Sequence, residues 1–333
     1  MNEGLKEQAR QLGRDLRRAG KKNRTLVRLY EGLSGQRQRV YLELGHLRSR
    51  LAGSTAGAAG VDPGRMVWIF GSGRSGSTWL RSMMGEVGGA RVWEEPMVGR
   101  LFGEFYARTP KENKRSAHFI MGDPIRRGWV RSIRNFVLDG ASYSVPRLDA
   151  DEYLIVKEPN GSVGAALIME ALPESRMILL IRDPRDVVAS VLDAAGEGGW
   201  LYESRNGGRA GKKPNAFVGM RARAYRRGVE NARRAYDAHC GPKTLVLYED
   251  LLADTVGSLR RVYSELRIPV EEAELARLAE RHSWKNVPAE EKGRGKFYRK
   301  GTPGGWREDL TPRQAEVVER ITASLLERFY PEG

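Results

Sequence analysis

Continuous apolar segments alternate with longer amphipathic segments over most of the chain. The apolar segments predict strands at 66–70, 153–156, 177–181 and 244–247. Amphipathic stretches between and after them, such as 220–238 and 255–266, predict helices. Short strands without polar alternation are typical of a parallel sheet that is covered on both faces. The pattern therefore predicts an α/β fold with a central parallel sheet and helices on both faces.

The first 51 residues have a different periodicity, with apolar side chains recurring every seven positions. One set is Leu5, Leu12, Ala19, Leu26, Leu33, Val40 and Leu47. A second set, four residues further on, is Ala9, Leu16, Asn23, Tyr30, Arg37, Leu44 and Leu51. This a/d pattern predicts a helical coiled coil through which the chain self-associates. Long helices that fold back onto the main domain are the alternative.

The composition between these two regions indicates a linker. Residues 52–65 are small and rich in glycine, with Val61 as the one large apolar side chain. We therefore predict a helical coiled-coil arm at 1–51, a linker at 52–65 and a globular domain at 66–333. A further glycine-rich run, 197–213, predicts a surface loop.

The chain is basic, with 57 Lys and Arg against 42 Asp and Glu, a formal charge of +15. Residues 1–50 hold 13 Lys and Arg against 5 Asp and Glu, a net of +8, which fits either a solvated helix or an anionic partner. Cys240 is the only cysteine, which excludes an internal disulfide and fits a reducing compartment. We find no signal peptide and no transmembrane segment in the sequence, so we expect a cytoplasmic protein.

The most informative stretch reads WIFGSGRSGSTWL, beginning at Trp68. A predicted strand runs into a glycine-rich turn, which allows successive N–H groups to converge on an anion at the start of a helix. A nucleotide-triphosphate P-loop would read G-x-x-x-x-G-K-[ST]. The spacing from Gly71 to Gly76 fits that pattern, but Ser77 stands at the lysine position and the cation is Arg74 instead.

The segment RSGSTW resembles the 5'-phosphosulfate loop of sulfotransferases that use 3'-phosphoadenosine-5'-phosphosulfate (PAPS). That loop has Lys or Arg followed by Ser-Gly-Thr-Thr. The resemblance implies a fold like that of the P-loop NTPases. It also implies that this loop binds the donor through Arg74, Ser75, Gly76, Ser77, Thr78 and Trp79.

Two further blocks support the resemblance. MILLIRDPRDVVAS reads as a strand, then Asp183 as an N-cap and Pro184 at the first helical position. In the family the matching Arg and Ser, here Arg182 and Ser190, bind the 3'-phosphate. FYRKGTPGGWR resembles the segment that closes over the same phosphate, which implies that Arg299, Lys300 and Gly301 bind it. Tyr248 and Trp284 resemble residues of the family's adenine pocket.

Sulfuryl transfer requires a base for the acceptor hydroxyl and cations for the charge on the transferred group. Arg74 and Lys157 are the candidate cations. Cytosolic members of the family have a histidine base two residues after the matching lysine, where this chain has Pro159. The segment RVWEEP instead resembles the glutamate segment of tyrosylprotein and Golgi-type members, which implies Glu95 as the base. The neighbouring Glu94 remains open.

The resemblance, with its mixture of cytosolic and Golgi-type features, implies a PAPS-dependent sulfotransferase. Such an enzyme moves a sulfuryl group to an acceptor hydroxyl by in-line displacement, without a metal, and releases PAP. The acceptor remains open among carbohydrate, lipid, natural product and peptide tyrosine. Two alternatives stand beside this prediction. One is an ATP-dependent P-loop kinase, and the other is a coiled-coil scaffold with an inactive nucleotide-binding domain.

Overall fold

A computed structural model describes residues 61–146, 148–149, 151–202 and 207–331. The predicted helical arm, residues 1–51, lies outside these residues, as does the predicted linker up to residue 60. The strands of the described residues are β1 (Met66–Phe70), β2 (Ala90–Glu94), β3 (Tyr153–Lys157), β4 (Arg176–Ile181) and β5 (Lys243–Leu247).

Helices connect and cover these strands. In chain order the described residues form α1 (Ser77–Met84), α2 (Val98–Arg108), α3 (Lys111–Lys114), α4 (Arg126–Ser144), α5 (Ala165–Ala171), α6 (Pro184–Ala195), α7 (Gly207–Lys212), α8 (Pro214–Ala238), α9 (Tyr248–Ala253), α10 (Thr255–Glu265), α11 (Glu272–Arg281), α12 (Trp306–Asp309) and α13 (Pro312–Phe329). A 3-10 helix, Pro159–Gly164, follows β3 almost directly.

The strands form one sheet in the order β2-β3-β1-β4-β5, and every pairing is parallel. β1 lies in the centre, between β3 and β4. The chain builds the sheet on one side of β1 with β2 and β3 and then crosses to the other side with β4 and β5. In open α/β sheets such a reversal leaves a crevice at the carboxyl ends of the strands, where ligands bind.

Helices cover both faces of the sheet because the central strand is apolar on both sides. Met66, Trp68 and Phe70 of β1 pack into a core that includes residues of α4, α5 and α8. Val67 and Ile69 point to the other face, against α1, α10 and α11. All five side chains are fully buried. The predicted parallel sheet with helices on both faces is confirmed.

The four strands predicted from apolar runs are all present, with bounds that differ by one residue at most. β2 was not predicted, because its sequence ARVWE has no continuous apolar run. It lies at the edge of the sheet, where none of its residues is fully buried. The helices predicted at 220–238 and 255–266 correspond to α8, which begins six residues earlier, and α10. The loop predicted at 197–213 contains the helix α7, so that prediction is wrong for residues 207–212.

Residues 61–65, which the composition assigns to the linker, pack against the domain. Val61 is buried, and the Asp62 carboxylate accepts a hydrogen bond from the Gly64 N–H at 2.8 Å in the turn Pro63–Arg65. Among the described residues, no helix is both long enough and apolar enough to span a membrane.

Candidate active site

One crevice is lined by a residue at the end of each of the five strands or within four residues after it. Arg74 follows β1, Glu95 follows β2, Lys157 ends β3, Arg182 follows β4 and Tyr248 follows β5. Because the strands are parallel, all five positions lie at the carboxyl ends of the strands, on the same side of the sheet. Residues up to 174 positions apart in the chain are therefore brought together by the topology alone.

The crevice is a pocket of about 760 Å³. It is lined by almost all the residues proposed from the sequence: Arg74, Gly76, Ser77, Thr78, Trp79, Glu95, Lys157, Arg182, Ser190, Tyr248, Trp284, Arg299, Lys300 and Gly301. Ser75 is the exception. Its hydroxyl donates to the Ser72 carbonyl at 2.6 Å, and it is fully buried, so this side chain closes the turn from inside.

The glycine-rich loop is held in an unusual backbone conformation. Arg74 has φ of 71° and Gly76 has φ of 91°, both in the left-handed region. For a residue other than glycine this conformation costs roughly 1 kcal/mol or more. A side chain at 76 would come within 2.5 Å of the Tyr248 ring, so only glycine allows the loop to approach the start of α9 this closely. Gly76 also precedes α1, whose first N–H groups open into the pocket.

The side chain of Arg74 lies between Ser190 and two aromatic rings. Its Nε donates to Ser190 Oγ at 3.0 Å and its Nη2 to the Phe297 carbonyl at 2.6 Å. The guanidinium lies 4.8 Å from the Phe297 ring centre and 5.7 Å from that of Trp200. Burial, with the nearby charges of Arg182 and Arg299, lowers the pKa of Arg74 to about 10. Arg74 therefore stays charged at neutral pH in a strongly positive environment.

Arg182 extends this positive environment, and within the described part of the chain one of its N–H groups is free to donate a further hydrogen bond. Its Nη1 donates to the Arg74 carbonyl at 3.2 Å, and its guanidinium lies 4.3 Å from the centre of the Tyr248 ring. Its Nε is buried and has no hydrogen-bond partner among the described residues. A buried, unpaired cationic donor is unfavourable unless an anion satisfies it.

The basic loop after residue 297 is tied to α6 by one buried carboxylate. Asp186 accepts hydrogen bonds from the Gly304 N–H at 2.8 Å and from the Trp306 N–H at 2.9 Å. Arg299 forms an ion pair with Asp309, and Lys300 pairs with Glu308 at 2.7 Å. The two cations therefore line the pocket while they are held by the acidic side chains of α12.

Lys157 lies between two glutamates at the other end of the pocket. Its Nζ is 2.7 Å from Glu94 Oε1 and 2.6 Å from Glu95 Oε1, and the lysine is 5% exposed. The second oxygen of Glu95 accepts from Asn160 Nδ2 at 2.9 Å. The second oxygen of Glu94 lies 2.9 Å from Arg81 Nε. Glu94 thus contacts two cations, whereas Glu95 contacts one cation and one neutral amide.

A third carboxylate, Glu158, lies behind this group and is fully buried. It accepts hydrogen bonds from the backbone N–H groups of Met97 at 2.8 Å and Gly99 at 3.3 Å, at the start of α2. Burial raises its pKa to about 7, and the nearby charge of Glu95 acts in the same direction. Glu158 thus anchors the segment that carries Glu95.

Aromatic side chains form the remaining wall. Trp79 donates from Nε1 to the His282 carbonyl at 2.8 Å, and its ring meets Tyr248 edge-on with centroids 6.1 Å apart. Trp284 packs so close to Gly301 that a side chain at 301 would come within 2.7 Å of the indole. Flat aromatic surfaces of this kind can stack on a planar ring such as a nucleobase.

Several residues that organise the pocket were not predicted from the sequence. Asn160, Glu158 and Asp186 were not singled out, although each stands within or beside a motif that was. Their partners are distant in the chain, so no local pattern indicates them. Arg221 also lines the pocket. Its signal is present in the sequence, since this cation stands on the same helix face as the apolar Phe217 and Tyr225.

Comparisons with known proteins give a family match and two similar folds. The sequence profile described as "Sulfotransferase family" matches residues 67–272, more than half of the chain. The search of curated proteins found no match. Mouse sulfotransferase SULT7A1, solved with PAP, is similar in fold at 14% identity, over 79% of this chain and 85% of that one, with a TM-score of 0.51.

Sulfotransferase STF9 from Mycobacterium avium is similar to the same degree. The identity is 14%, the TM-score is 0.51, and the match covers 80% of this chain and 77% of that one. At these identities the two similarities concern the fold. The profile match runs from Val67 in β1 to beyond β5 and includes the loop of Arg74 and the block of Arg182. On this match, the chain belongs to the sulfotransferase family.

Proposed function

We propose that this sulfotransferase uses PAPS as its donor and transfers the sulfuryl group to an acceptor hydroxyl by in-line displacement. The observation that carries the proposal is the group of cations at the carboxyl ends of the strands. Arg182 and Arg299 lie so close to Arg74 that their charges, together with burial, lower its pKa. Like charges gathered in a buried pocket are unfavourable unless the ligand is a polyanion.

The residues present fit a donor with two separate phosphate groups. The loop of Gly76, Ser77 and Thr78 at the start of α1 offers N–H and hydroxyl donors for the 5'-phosphosulfate. Arg182 Nε is buried and has no partner in the part of the chain that the structure describes, and Ser190 lies within hydrogen-bond distance of Arg74, so this side of the pocket suits the 3'-phosphate. When bound, PAPS supplies the sulfuryl group and leaves as PAP.

The basic loop and the aromatic wall complete the proposed donor site. Arg299 and Lys300 are already ion-paired with α12, and we expect the 3'-phosphate to compete with those carboxylates. The N–H of Gly301 joins them. Trp79, Tyr248 and Trp284 supply the surface for the adenine ring.

Glu95 is the proposed base, acting on the proton of the acceptor hydroxyl. A carboxylate can accept a proton more readily when fewer cations stabilise its charged form. Glu94 contacts both Lys157 and Arg81, whereas Glu95 contacts Lys157 and the neutral Asn160. This difference favours Glu95 over Glu94. Lys157 and Arg74 are the proposed cations that stabilise the negative charge during transfer.

We propose that the reaction needs no metal, because arginine and lysine side chains supply the positive charge. Among the described residues, no group of three or more His, Cys, Asp and Glu side chains is gathered as metal ligands.

A cytoplasmic location and self-association through residues 1–51 are parts of the same proposal. The exposed, unpaired Cys240 fits the first, and the heptad pattern supports the second.

The direct test is a screen of hydroxyl compounds with PAPS, in which products are detected by the added mass of one sulfuryl group. The set should contain carbohydrates, lipid alcohols, phenolic natural products and tyrosine peptides. ATP with magnesium replaces PAPS in a parallel series. Sulfated products with PAPS alone support the proposal, whereas phosphorylated products with ATP and magnesium would support the kinase alternative.

A further inference from the structure

Helix α8 presents a charged residue on its buried side. Residues four positions apart lie on the same face of a helix, so Phe217, Arg221 and Tyr225 share one face of α8. Phe217 and Tyr225 are each 4% exposed. Two turns after Arg221, Gly228 approaches the carbonyl of Gly71 in the glycine-rich loop. Arg221 therefore lies on the side of α8 that faces the interior of the domain, and it lines the pocket.

No carboxylate pairs with Arg221 in the described part of the chain, and its Nε is buried without any hydrogen-bond partner there. Two other arginines of this region have carboxylate partners, Arg185 with Asp183 and Arg299 with Asp309, whereas Arg221, like Arg182, has none among the described residues. Arg221 as a whole is half-buried, but a cation whose donor is shielded from water without a partner is unfavourable, and such groups in a cleft point to a ligand site. Arg221 is thus a guanidinium held ready for an anion from outside the domain.

The surroundings of Arg221 differ from those of the proposed donor site. Burial alone lowers the pKa of Arg221, with no contribution from Arg74, Arg182 or Arg299. Between α6 and α8 the pocket lining, apart from Ser190 and Arg221, is apolar or aromatic: Val191, Ala195, Trp200, Leu201 and Phe217. Phe217 packs with Val191 and Ala195 in one cluster, to which Leu201 adds. This apolar lining suits the organic skeleton of an acceptor better than a nucleotide phosphate.

We propose that Arg221 is a specificity-determining residue that binds an anionic group on the acceptor, so that the preferred acceptors are hydroxy acids rather than neutral alcohols. The inference rests on the proposed sulfuryl transfer to a hydroxyl. The anion is recognised by the planar guanidinium, which pairs with carboxylate, phosphate and sulfonate groups. The carbon skeleton lies against the apolar side chains of α6 and α8, and the hydroxyl is directed towards Glu95.

The test measures binding of matched acids and amides to the full-length protein saturated with PAP, so that the donor site is filled. The probes are 4-hydroxybenzoate, 4-hydroxyphenylacetate and 6-hydroxyhexanoate, each beside its primary amide, with 4-hydroxyphenyl phosphate and 4-hydroxybenzenesulfonate as further anions. A charge-assisted pair in a partly buried site gives roughly tenfold to hundredfold tighter binding. We expect at least one acid to bind the wild type that much more tightly than its amide.

Arg221→Met removes the charge and keeps most of the side-chain length. We expect this variant to bind acid and amide equally and PAP normally. Without ligand it should melt no lower than the wild type, because the charge that is removed is half-buried and has no carboxylate partner among the described residues. Arg221→Lys, which keeps the charge, should retain part of the acid preference. Glu203 lies outside the described residues, so Glu203→Gln tests whether its carboxylate is a partner of Arg221. We expect this variant to keep the preference for acids over amides.

Two results would overturn the inference. One is equal binding of acids and amides by the PAP-saturated wild type across the set. The other is a loss of PAP affinity in Arg221→Met, which would assign this residue to the donor. Failure of the proposed function would look different, because PAP itself would then bind no better than AMP to the wild-type protein.

Discussion

Glu95 and Lys157 are joined through both backbone and side chain. The Glu95 N–H donates to the Lys157 carbonyl at 2.9 Å, and Lys157 Nζ lies 2.6 Å from Glu95 Oε1. The backbone bond continues the pairing of β2 and β3, in which Glu94 stands opposite Lys157. Glu95 itself turns into the left-handed region, with φ of 42°, which directs its carboxylate back over the lysine. The sheet register therefore determines where the proposed base lies.

Glu95→Gln should reduce turnover of PAPS by about 10²-fold or more, because a positioned base typically contributes 10² to 10⁴ in rate. The amide preserves the shape of the side chain and can still bond to Lys157, but it cannot accept the acceptor's proton. PAP affinity should change little, since Glu95 takes no part in the proposed donor site. Steady-state rates and calorimetric titration with PAP measure the two effects separately.

Glu94→Gln is the matched control, since Glu94 contacts the same lysine from the adjacent position. We expect it to retain much more activity than Glu95→Gln. The reverse result would transfer the role to Glu94, and near-normal rates in both variants would remove the carboxylate base from the mechanism.

Asn160→Ala should reduce kcat more than it raises KM for the acceptor, because Asn160 holds only the second oxygen of Glu95.

The buried Glu158 predicts a dependence of stability on pH. Its pKa is about 7 in the folded protein, above its ordinary value near 4.5, so the folded state binds a proton that the unfolded chain releases in this window. Its contribution to the free energy of unfolding is fully present below pH 4.5 and is lost as pH rises to about 7. The change amounts to at most about 3 kcal/mol.

Denaturant unfolding of the wild type and Glu158→Gln between pH 4.5 and 8 measures this contribution. The variant should have a flatter profile between pH 4.5 and 7. Glu290→Gln is the control, because Glu290 is exposed and its neutralisation should leave the slope unchanged. Parallel profiles for wild type and Glu158→Gln would show that Glu158 does not bind the proton.

The fold was largely predictable from the sequence because buried parallel strands are continuous apolar runs. β1, β3, β4 and β5 are of this type, whereas β2 is a half-exposed edge strand and gives no such signal. The glycine-rich loop was predictable for a similar reason, since a strand, a tight turn and a helix follow each other directly.

The contacts within the site were less predictable. Asn160 and Glu95 are 65 residues apart in the chain, and only the sheet brings them together. Many other contacts in the pocket also join residues that are distant in the chain. Asp186 lies inside a recognised block, yet its role depends on a loop 118 residues later. Arg221 could have been found from the sequence, because a cation between Phe217 and Tyr225 at four-residue spacing interrupts an otherwise apolar helix face.

Chelation should leave turnover of PAPS unchanged. The positive charge in the proposed mechanism comes from Arg74 and Lys157, and neither group is removed by EDTA. Initial rates before and after treatment with EDTA, and again after added magnesium, measure this directly. A loss of rate that magnesium restores would favour the kinase alternative over sulfuryl transfer.

Removal of the N-terminal arm should reduce the oligomeric state and leave turnover intact. A chain beginning at Gly60 retains every described residue of the proposed site and lacks the whole heptad pattern. Light scattering should show a monomer for this chain and a larger assembly for the full-length protein. Leu26→Asp in the full-length chain is a point control that should also lower the mass, since a charge at an a position disrupts the helix interface. Equal oligomeric states for all three would exclude self-association through residues 1–51.

The most direct measurement is thermal unfolding with PAP, AMP and ATP at equal concentrations. PAP carries the 3'-phosphate for which Arg182, Ser190 and Arg299 are proposed, and AMP and ATP lack it. A ligand that binds only the folded protein stabilises it by about 2.7 kcal/mol at one hundred times its Kd. We predict a melting temperature that rises far more with PAP than with AMP or ATP. Equal shifts with PAP and AMP would contradict the proposed donor site.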